Sequence, residues 1–565
     1  MMNAKHGTWF DKGKRPGWYL LFLLLAMTAF AYRSLLNAEF LDYDDMANVV
    51  RNIHIQSLSL QNLKAIFFTP VLYSYNPLVF VSYAIENKIF GMDPVGFHIT
   101  NILLHLLNIM LVYRFVSMLA NSKPTALLAA ALFALHPMNA DVLGWISARS
   151  YLLATLFYFS AMISYLNYLR INERKNLHLA LSLLFFILAC LSKSQAITLA
   201  PVILLLNWIN KSRYSHRQIF ITSLYFLIAL AFGLLTVYFR TDIGKTEIIP
   251  QYNFIDKVLV INYSIIKYPV KAIYPAGITA IEAFPVKAPG GYFSPWVYLS
   301  PLLLAGVAAL MLKYLKKAPI IVFGITFFIL NILITQLSFV EDGFSANRYS
   351  YLSGIGIYIP LAILFMWLYN MKGVVRKVIV AAGVTIIVLL SVITNTRAGQ
   401  WTSTLSLTSS IIKHSPDVAM AYNIRGIWYF QSGAYQRSVE DFNRGLALFP
   451  GYSPAYYNRA LSRAAMEDFS GALQDYDQAI AINSNFISAY IGRGILFMQV
   501  WEEYARAVDD FTNAITLDHA NAMAYYNRGL AFSRMDMPDK ACSDWQMVRR
   551  LGYDRADRML EQYCQ

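Results

Sequence analysis

Charge is what this sequence has least of. Only 14% of its 565 residues are charged, against about 25% in soluble domains. Hydrophobic residues make up 57% and the mean hydropathy is +0.43. This balance excludes a soluble globular enzyme and a disordered chain, and implies an integral membrane protein in contact with lipid. Cysteine is scarce too. Cys190, Cys542 and Cys564 are too few for a disulfide scaffold. Cys190 lies in an apolar run and reads as inert, whereas Cys542 and Cys564 can pair in an oxidising compartment. Also absent are a phosphate-binding glycine loop, a nucleophile elbow and a paired-cysteine zinc signature.

What charge there is falls unevenly. Residues 421–565 hold 14 Lys/Arg and 17 Asp/Glu. That part is therefore −3, and the first 420 residues, with 33 Lys/Arg and 16 Asp/Glu, carry +17. A nucleic-acid reader needs a basic soluble face, so no nucleic-acid partner is expected. Membrane topology explains the excess better.

Apolar segments near 17–36, 98–119, 124–136, 149–168, 177–192, 195–210, 218–239, 295–312, 319–338, 351–370 and 377–395 predict about eleven spans. Lys5, Lys12, Lys14 and Arg15 precede the first and put the N-terminus in the cytoplasm. That first run is too long for a signal peptide, and further spans follow it. Alternate turns carry Arg114, Lys123, then Arg170, Arg174, Lys175, then Lys211, Arg213, Arg217, then Lys313, Lys316, Lys317, and finally Lys372, Arg376, Lys377. These pieces and the N-terminus hold 18 of the 33 basic residues in this part but only two of its 16 acids, Asp11 and Glu173. The amphipathic segment 258–275, with Lys267, Pro269 and Lys271, reads as an interfacial or re-entrant helix on the outer side. The C-terminal region then also lies outside.

That region repeats. Ala421-Tyr-Asn-Ile-Arg-Gly426, Ala455-Tyr-Tyr-Asn-Arg-Ala460, Ala489-Tyr-Ile-Gly-Arg-Gly494 and Ala524-Tyr-Tyr-Asn-Arg-Gly529 start 34, 34 and 35 residues apart. Phe442, Tyr476, Phe511 and Trp545 follow in phase, then Gly445, Ala479, Ala514 and Val548. The period and its small and aromatic positions resemble the tetratricopeptide repeat, an antiparallel helix pair that stacks into a solenoid. The expected domains are a membrane part at 1–395 with a long first outer loop at 37–97, a linker at 396–420, and four repeats at 421–565. Tyr457, Asn458, Tyr526 and Asn527 are candidates to face an acceptor in the concave groove. The alternative is that the tyrosines only pack neighbouring helices.

Chemistry is sought in the outer loops. Asp42, Asp44 and Asp45 cluster within four residues just past the first span. Such clustering raises some carboxyl pKa values and suits a general base. A divalent metal site and a solvated acidic loop are the other readings. Asp141 and Arg149 sit at the mouth of a span, where charge is costly. Lys193, Arg240 and Arg348 are outward cations at span ends. They suit an anionic phosphate group, or else snorkel to lipid phosphates. His54, His98, His105 and His136 lack metal-ligand spacing and read as packed histidines.

The order of short motifs is more telling than any one of them. Phe40-Leu-Asp-Tyr-Asp44-Asp45 with Asn52 comes first, followed by Tyr75-Asn76-Pro77-Leu78 and Gly96-Phe97-His98 leading to His105. His136-Pro137 through Arg149, then Lys193, then Arg348-Tyr349-Ser-Tyr351-Leu352 with Gly354 and Gly356, and then Trp401 precede the repeats. The combination is similar to the transmembrane and tetratricopeptide-repeat-containing O-mannosyltransferases and their bacterial relatives, within the GT-C glycosyltransferase superfamily. The chain departs from that pattern with Ser194 after Lys193, Asn347 before Arg348, and Asp rather than Glu at 141.

The resemblance implies an all-α fold, with a polytopic GT-C-like membrane domain and a repeat solenoid. It implies a glycosyltransferase that moves a hexose, such as mannose, from a polyprenyl-phosphate donor to a hydroxyl, in the main case Ser/Thr of an extracytoplasmic protein. Asp44 or Asp45 would be the base and Asp141 would assist. Arg149, Lys193, Arg240 and Arg348 would stabilise the leaving phosphate, with a divalent metal as an optional cofactor. Single displacement would invert the anomeric centre. The expected setting is a bacterial cytoplasmic membrane, with site and repeats outside and the acceptor protein held by the repeats. Two competing readings are a GT-C enzyme decorating lipid or polysaccharide, and a non-catalytic repeat scaffold. A transporter fits poorly, because no inverted repeat is evident.

Overall fold

A computed structural model of the chain describes residues 16–42, 44–69, 75–212, 215–240, 252–285, 287–288, 291–339 and 344–564. The chain folds as two compact units, Met1–Ser415 and Pro416–Gln565.

The first unit is a helical membrane domain. Among the described residues, eight helices are long and apolar enough to cross a bilayer: Trp18–Asn37, Pro94–Ala120, Ile146–Arg170, Lys175–Ser192, His216–Phe239, Pro295–Tyr314, Pro319–Gln336 and Val374–Gln400. Two bent pairs, Lys123–Leu135 with Pro137–Gly144 and Asn347–Ser353 with Ile355–Tyr369, raise the number to ten. Ser194–Ile209 is a shorter apolar helix. The bends have local causes. Pro137 follows His136, whose extended backbone ends the first helix of its pair, as a residue before proline prefers.

The surface of this unit is apolar and its interior is partly polar. Phe22, Leu234, Leu302 and Val384 lie exposed, while Asn101, Asn108, Asn207 and Asn331 are fully buried. Exposed apolar side chains suit contact with lipid, and each buried asparagine makes at least one internal hydrogen bond. Asn108 donates to the Leu152 carbonyl at 3.0 Å, and Asn331 accepts from Thr198 at 2.6 Å.

The stretch 37–97, expected as the first outer loop, has regular structure among its described residues. It contains a π-helical turn at Met46–Val50 and helices Leu60–Phe68 and Pro77–Phe90. The amphipathic segment forms the helix Phe254–Ile273, opened by a capping box between Asn253 and Asp256. Behind it, strands β1 (Ile281–Ala283) and β2 (Phe344–Ala346) pair antiparallel. Lys267 and Lys271 both ion-pair with Glu282 of β1, so the helix is stitched to the small sheet by charge.

The stretch expected to be a linker at 396–420 is structured. Val374–Gln400 runs through its start, Thr404–His414 is a helix capped by Ser403, and the unit boundary falls after Ser415. Up to Ser415 the stretch belongs to the first unit, and from Pro416 on to the second.

The second unit is four antiparallel helix pairs. They are Ala419–Gln431 with Tyr435–Leu448, Ser453–Ala465 with Phe469–Ile482, Ile487–Val500 with Tyr504–Leu517, and Ala522–Arg534 with Pro538–Arg550. Each pair is close because a ring on its second helix lies over a small residue on its first. A Cβ on Gly426 would meet Phe442 at 2.7 Å, and one on Gly529 would meet Trp545 at 2.6 Å. A final short helix, Asp557–Tyr563, packs Leu560 with Trp545, and Cys542 and Cys564 are disulfide-bonded with Cα atoms 5.6 Å apart.

Candidate active site of the membrane unit

The site is built on the loop between Gly144 and the helix Arg149–Arg170. Asp45, Lys193 and Arg348, from three distant parts of the chain, all contact residues 145–151. The Ser147 amide donates to Asp45 Oδ1 at 2.9 Å, and its hydroxyl donates to the same oxygen at 2.5 Å. Arg348 lies over the Trp145 ring, 4.8 Å from its centroid. Lys193 Nζ lies 3.8 Å from the Tyr151 centroid and donates to Ser150 Oγ at 3.4 Å.

The two neighbouring carboxylates have different surroundings. Asp45 is fully buried and accepts a third bond, from the Leu41 amide at 3.1 Å. Asp44 is half-buried and makes no side-chain hydrogen bond among the described residues. Burial pushes Asp44 up to about 7, with Arg348 opposing and the Asp45 charge reinforcing the rise. Burial also raises Asp45, to about 6, against its hydrogen bonds from Ser147 and Leu41. Asp44 is thus the carboxylate with unused lone pairs and a pKa near neutrality, which a general base needs. Asp45 is the anchor that ties the acidic loop to Ser147.

Lys193 is half-buried, and its desolvation pulls its pKa down to about 7, with Arg348 adding repulsion in the same direction. A cation in this state is short of an anion. A phosphate arriving beside it would restore its charge.

The other expected residues take separate places. Arg149 is fully buried. It ion-pairs with Glu86, donates to Asn101 Oδ1 and the Phe97 carbonyl at 2.8 Å each, and covers the Tyr83 ring. Its guanidinium is occupied inside the fold, so it steadies the loop that carries Ser147 and Ser150. Asp141 is also fully buried, accepting from Arg397 at 2.8 Å, Trp401 at 3.2 Å and Asn347 at 3.1 Å. Its side chain is a junction of three chain segments. Arg240 ends the helix His216–Arg240, and its side chain lies outside the described residues. His105 and His136 are hydrogen-bonded core residues, to Tyr351 and Ala134 and to Ala272 respectively. Among the described residues no group of three His, Cys, Asp or Glu is arranged to hold a metal ion.

In the repeat unit the four expected residues divide. Tyr457 packs between Tyr476 and Phe486, with centroids 6.0 and 5.3 Å away. Asn458 donates to Asn423 at 3.2 Å. Asn527 is nearly buried and donates to the Met523 carbonyl in its own helix. Tyr526 alone borders an open cavity of about 300 Å³, with Asp518, Asn521, Met523, Tyr553 and Arg555.

Sequence reasoning passed over several partners. Ser147 and Trp145 carry no charge to attract notice. Glu86 was one acid on a long loop. Arg397 had the same signal as Arg348, a cation at the end of an apolar run, but fell in the supposed linker. In the repeats, Arg425, Arg459, Arg493 and Arg528 each make a bidentate pair with Asp441, Asp475, Asp510 and Asp544. Both members recur in phase with the repeat, so this ladder was legible.

No family model matches the chain. It is 24% identical over 461 residues to a protein O-mannosyl-transferase of Caenorhabditis elegans, covering 78% of this chain and 64% of that one. It is 31% identical over 181 residues to the protein O-mannosyl-transferase Tmtc1 of Drosophila melanogaster, which is 31% of this chain and 21% of that one. It is 31% identical over 144 residues to the protein O-mannosyl-transferase TMTC4 of Homo sapiens, or 22% and 19% of the two chains. The chain thus spans about 64% of the first relative's length and smaller shares of the others. Among solved structures, the crystal structure of MamA matches 29% of this chain and 96% of its own, at 18% identity and a TM-score of 0.26. The curated relatives of this chain are protein O-mannosyl-transferases of the transmembrane and tetratricopeptide-repeat-containing family.

Proposed function

We propose that the protein transfers a mannosyl group from a polyprenyl-phosphate donor to a Ser/Thr hydroxyl of an acceptor protein engaged by its repeats. The observation that carries this reading is the site on residues 145–151. A carboxylate with unused lone pairs, Asp44, acts electrostatically with Arg348, which in turn acts on Lys193. A base near one cation, with a second cation next to that one, suits displacement of a sugar from a phosphate.

In this mechanism the acceptor hydroxyl oxygen attacks the anomeric carbon and gives its proton to Asp44. The bond from that carbon to the phosphate oxygen breaks, and its electron pair leaves with the polyprenyl phosphate. Lys193 and Arg348 take up the growing negative charge. One displacement inverts the anomeric configuration. The exposed apolar residues Val270, Ile273 and Tyr274 at the end of the amphipathic helix suit a lipid-chain seat at the membrane interface. The basic turns favour a cytoplasmic N-terminus with the site and repeats outside. The paired Cys542 and Cys564 favour an oxidising compartment for the repeats.

The test is a transfer assay on purified full-length protein with radiolabelled polyprenyl-phosphate mannose and extracytoplasmic protein acceptors. Label is expected in protein, lost in Asp44→Asn. Label found only in lipid or polysaccharide would overturn the acceptor assignment. Undiminished transfer by folded Asp44→Asn would overturn the base.

A further inference from the structure

We infer that the segment Arg397–Thr404 is a positioning clasp that sets the acidic loop and Arg348 in one frame. The inference rests on the base and phosphate roles proposed above and adds residues that touch neither substrate.

Two loops must hold register in such a site, one carrying Asp44 and one carrying Arg348. They are far apart in sequence, and both are fastened to this segment. On the acidic side, the Glu39 amide donates to the Thr402 carbonyl and the Asp42 amide donates to Thr404 Oγ1, each at 3.0 Å. The second bond joins residues 362 apart in sequence. Next to it, the Leu41 amide caps Asp45, which is itself tied to Ser147. On the cationic side, Arg397 and the Trp401 indole both donate to Asp141 Oδ1, and Asn347 donates to Asp141 Oδ2. Asn347 is covalently joined to Arg348 and also accepts from Lys271 at 2.9 Å. Asp141 is therefore the knot between the clasp and the loop bearing Arg348.

The packing says the fit is tight. Trp401 is 1% exposed. A Cβ added to Gly144 would stand 2.4 Å from the Trp401 Cβ, so glycine there lets the indole reach Asp141. Arg397 and Thr404 are also buried. A buried guanidinium and a buried carboxylate are expensive unless paired. Here their pairing fixes the relation between two loops. Misplacing a reacting group by about 1 Å can cost on the order of 10²-fold in rate, and that is the scale on which a clasp acts.

The experiment uses full-length protein in detergent, labelled polyprenyl-phosphate mannose and one acceptor, with Thr404→Val, Thr404→Ser, Trp401→Phe and Asp44→Asn. Thr404→Val keeps the shape and removes the acceptor of the Asp42 amide. Trp401→Phe keeps a ring and removes the indole donor. Both are expected to lower kcat by about 10-fold or more while leaving the KM of donor and acceptor within about twofold. Thr404→Ser is expected to restore kcat. The clasp is overturned if either Thr404→Val or Trp401→Phe turns over at the parent rate. It is equally overturned if their loss matches the loss of folded protein on size-exclusion chromatography, or if Thr404→Ser fails to rescue. Asp44→Asn separates the two levels: full activity in that variant removes the base, whereas an inactive Asp44→Asn beside a fully active Thr404→Val removes only the clasp.

Discussion

Charge is used in opposite ways in the two units. In the repeats it is periodic: one Arg–Asp pair per helix pair, each bidentate and each partly open to water. In the membrane unit no charge recurs in phase. Arg149 meets Glu86, Arg397 meets Asp141, and Lys193 meets a hydroxyl and a ring. Periodic charge can be read as scaffolding, because what every repeat shares cannot be specific to one site. Aperiodic buried charge needs an individual reason. On the proposed reading the reasons are to carry chemistry (Asp44, Lys193, Arg348) or to hold its geometry (Asp45, Asp141, Arg149, Arg397).

The sharpest way to break that distinction is at the acidic pair. Asp44→Asn is expected to cut transfer by about 10²–10⁴-fold, the usual worth of a general base. Asp45→Asn keeps an acceptor for one of its donors and should cost less. A single-turnover assay with saturating donor compares them. If Asp45→Asn proves the more damaging at equal folding, the roles exchange.

The second comparison removes one partner of an ion pair in each unit. Arg149→Gln leaves Glu86 buried without its counter-ion, and loss of one partner of a buried pair costs about 3–5 kcal/mol. Full-length Arg149→Gln should therefore be hard to recover folded. Asp544→Asn breaks a pair whose arginine is 18% exposed, so about 1–2 kcal/mol is the expected cost after solvent screening. Thermal unfolding followed by circular dichroism measures both. Equal losses would show that position in the membrane unit adds nothing.

The fold was legible where the sequence was regular. The 34-residue period located all four helix pairs. Each expected apolar run proved helical, with the runs at 124–136 and 351–370 belonging to bent pairs. The site was legible only in its charged members. Asp45, Lys193 and Arg348 stood out as charges beside apolar runs, yet nothing local showed that all three contact residues 145–151. That depends on hydrogen bonds such as Ser147 to Asp45, made across 102 residues. Asp141 and Arg149 stood out by the same rule, and only tertiary structure shows that their bonding capacity is spent within the fold. The supposed linker at 396–420 illustrates the limit: polar residues between two domains look alike whether they are solvated or buried against a neighbour.

A third prediction concerns pH. A base that must be deprotonated and a cation that must be protonated give a bell-shaped dependence of kcat/KM. With Asp44 and Lys193 both near 7, the bell is narrow. Arg348 lowers both values, favouring ionised Asp44 and opposing protonated Lys193. In Arg348→Gln both groups rise, so the whole bell should move to higher pH as well as shrinking. A profile that shrinks without moving would separate Arg348 from both groups.

The smallest effect is expected within the repeats, where the comparison is between two tyrosines that looked equivalent. Tyr457 is wedged between Tyr476 and Phe486, so Tyr457→Ala removes packing and should lower the unfolding midpoint of the full-length protein. Tyr526 faces the open cavity with Arg555 over its ring at 5.3 Å. Tyr526→Ala should leave kcat unchanged and raise the KM for acceptor by up to about 10-fold, the worth of roughly 1.5 kcal/mol of aromatic contact. Initial rates against acceptor concentration, with thermal unfolding run on the same preparations, distinguish the two. If Tyr457→Ala raises KM at an unchanged midpoint, the acceptor lies over the second and third repeats rather than at the last.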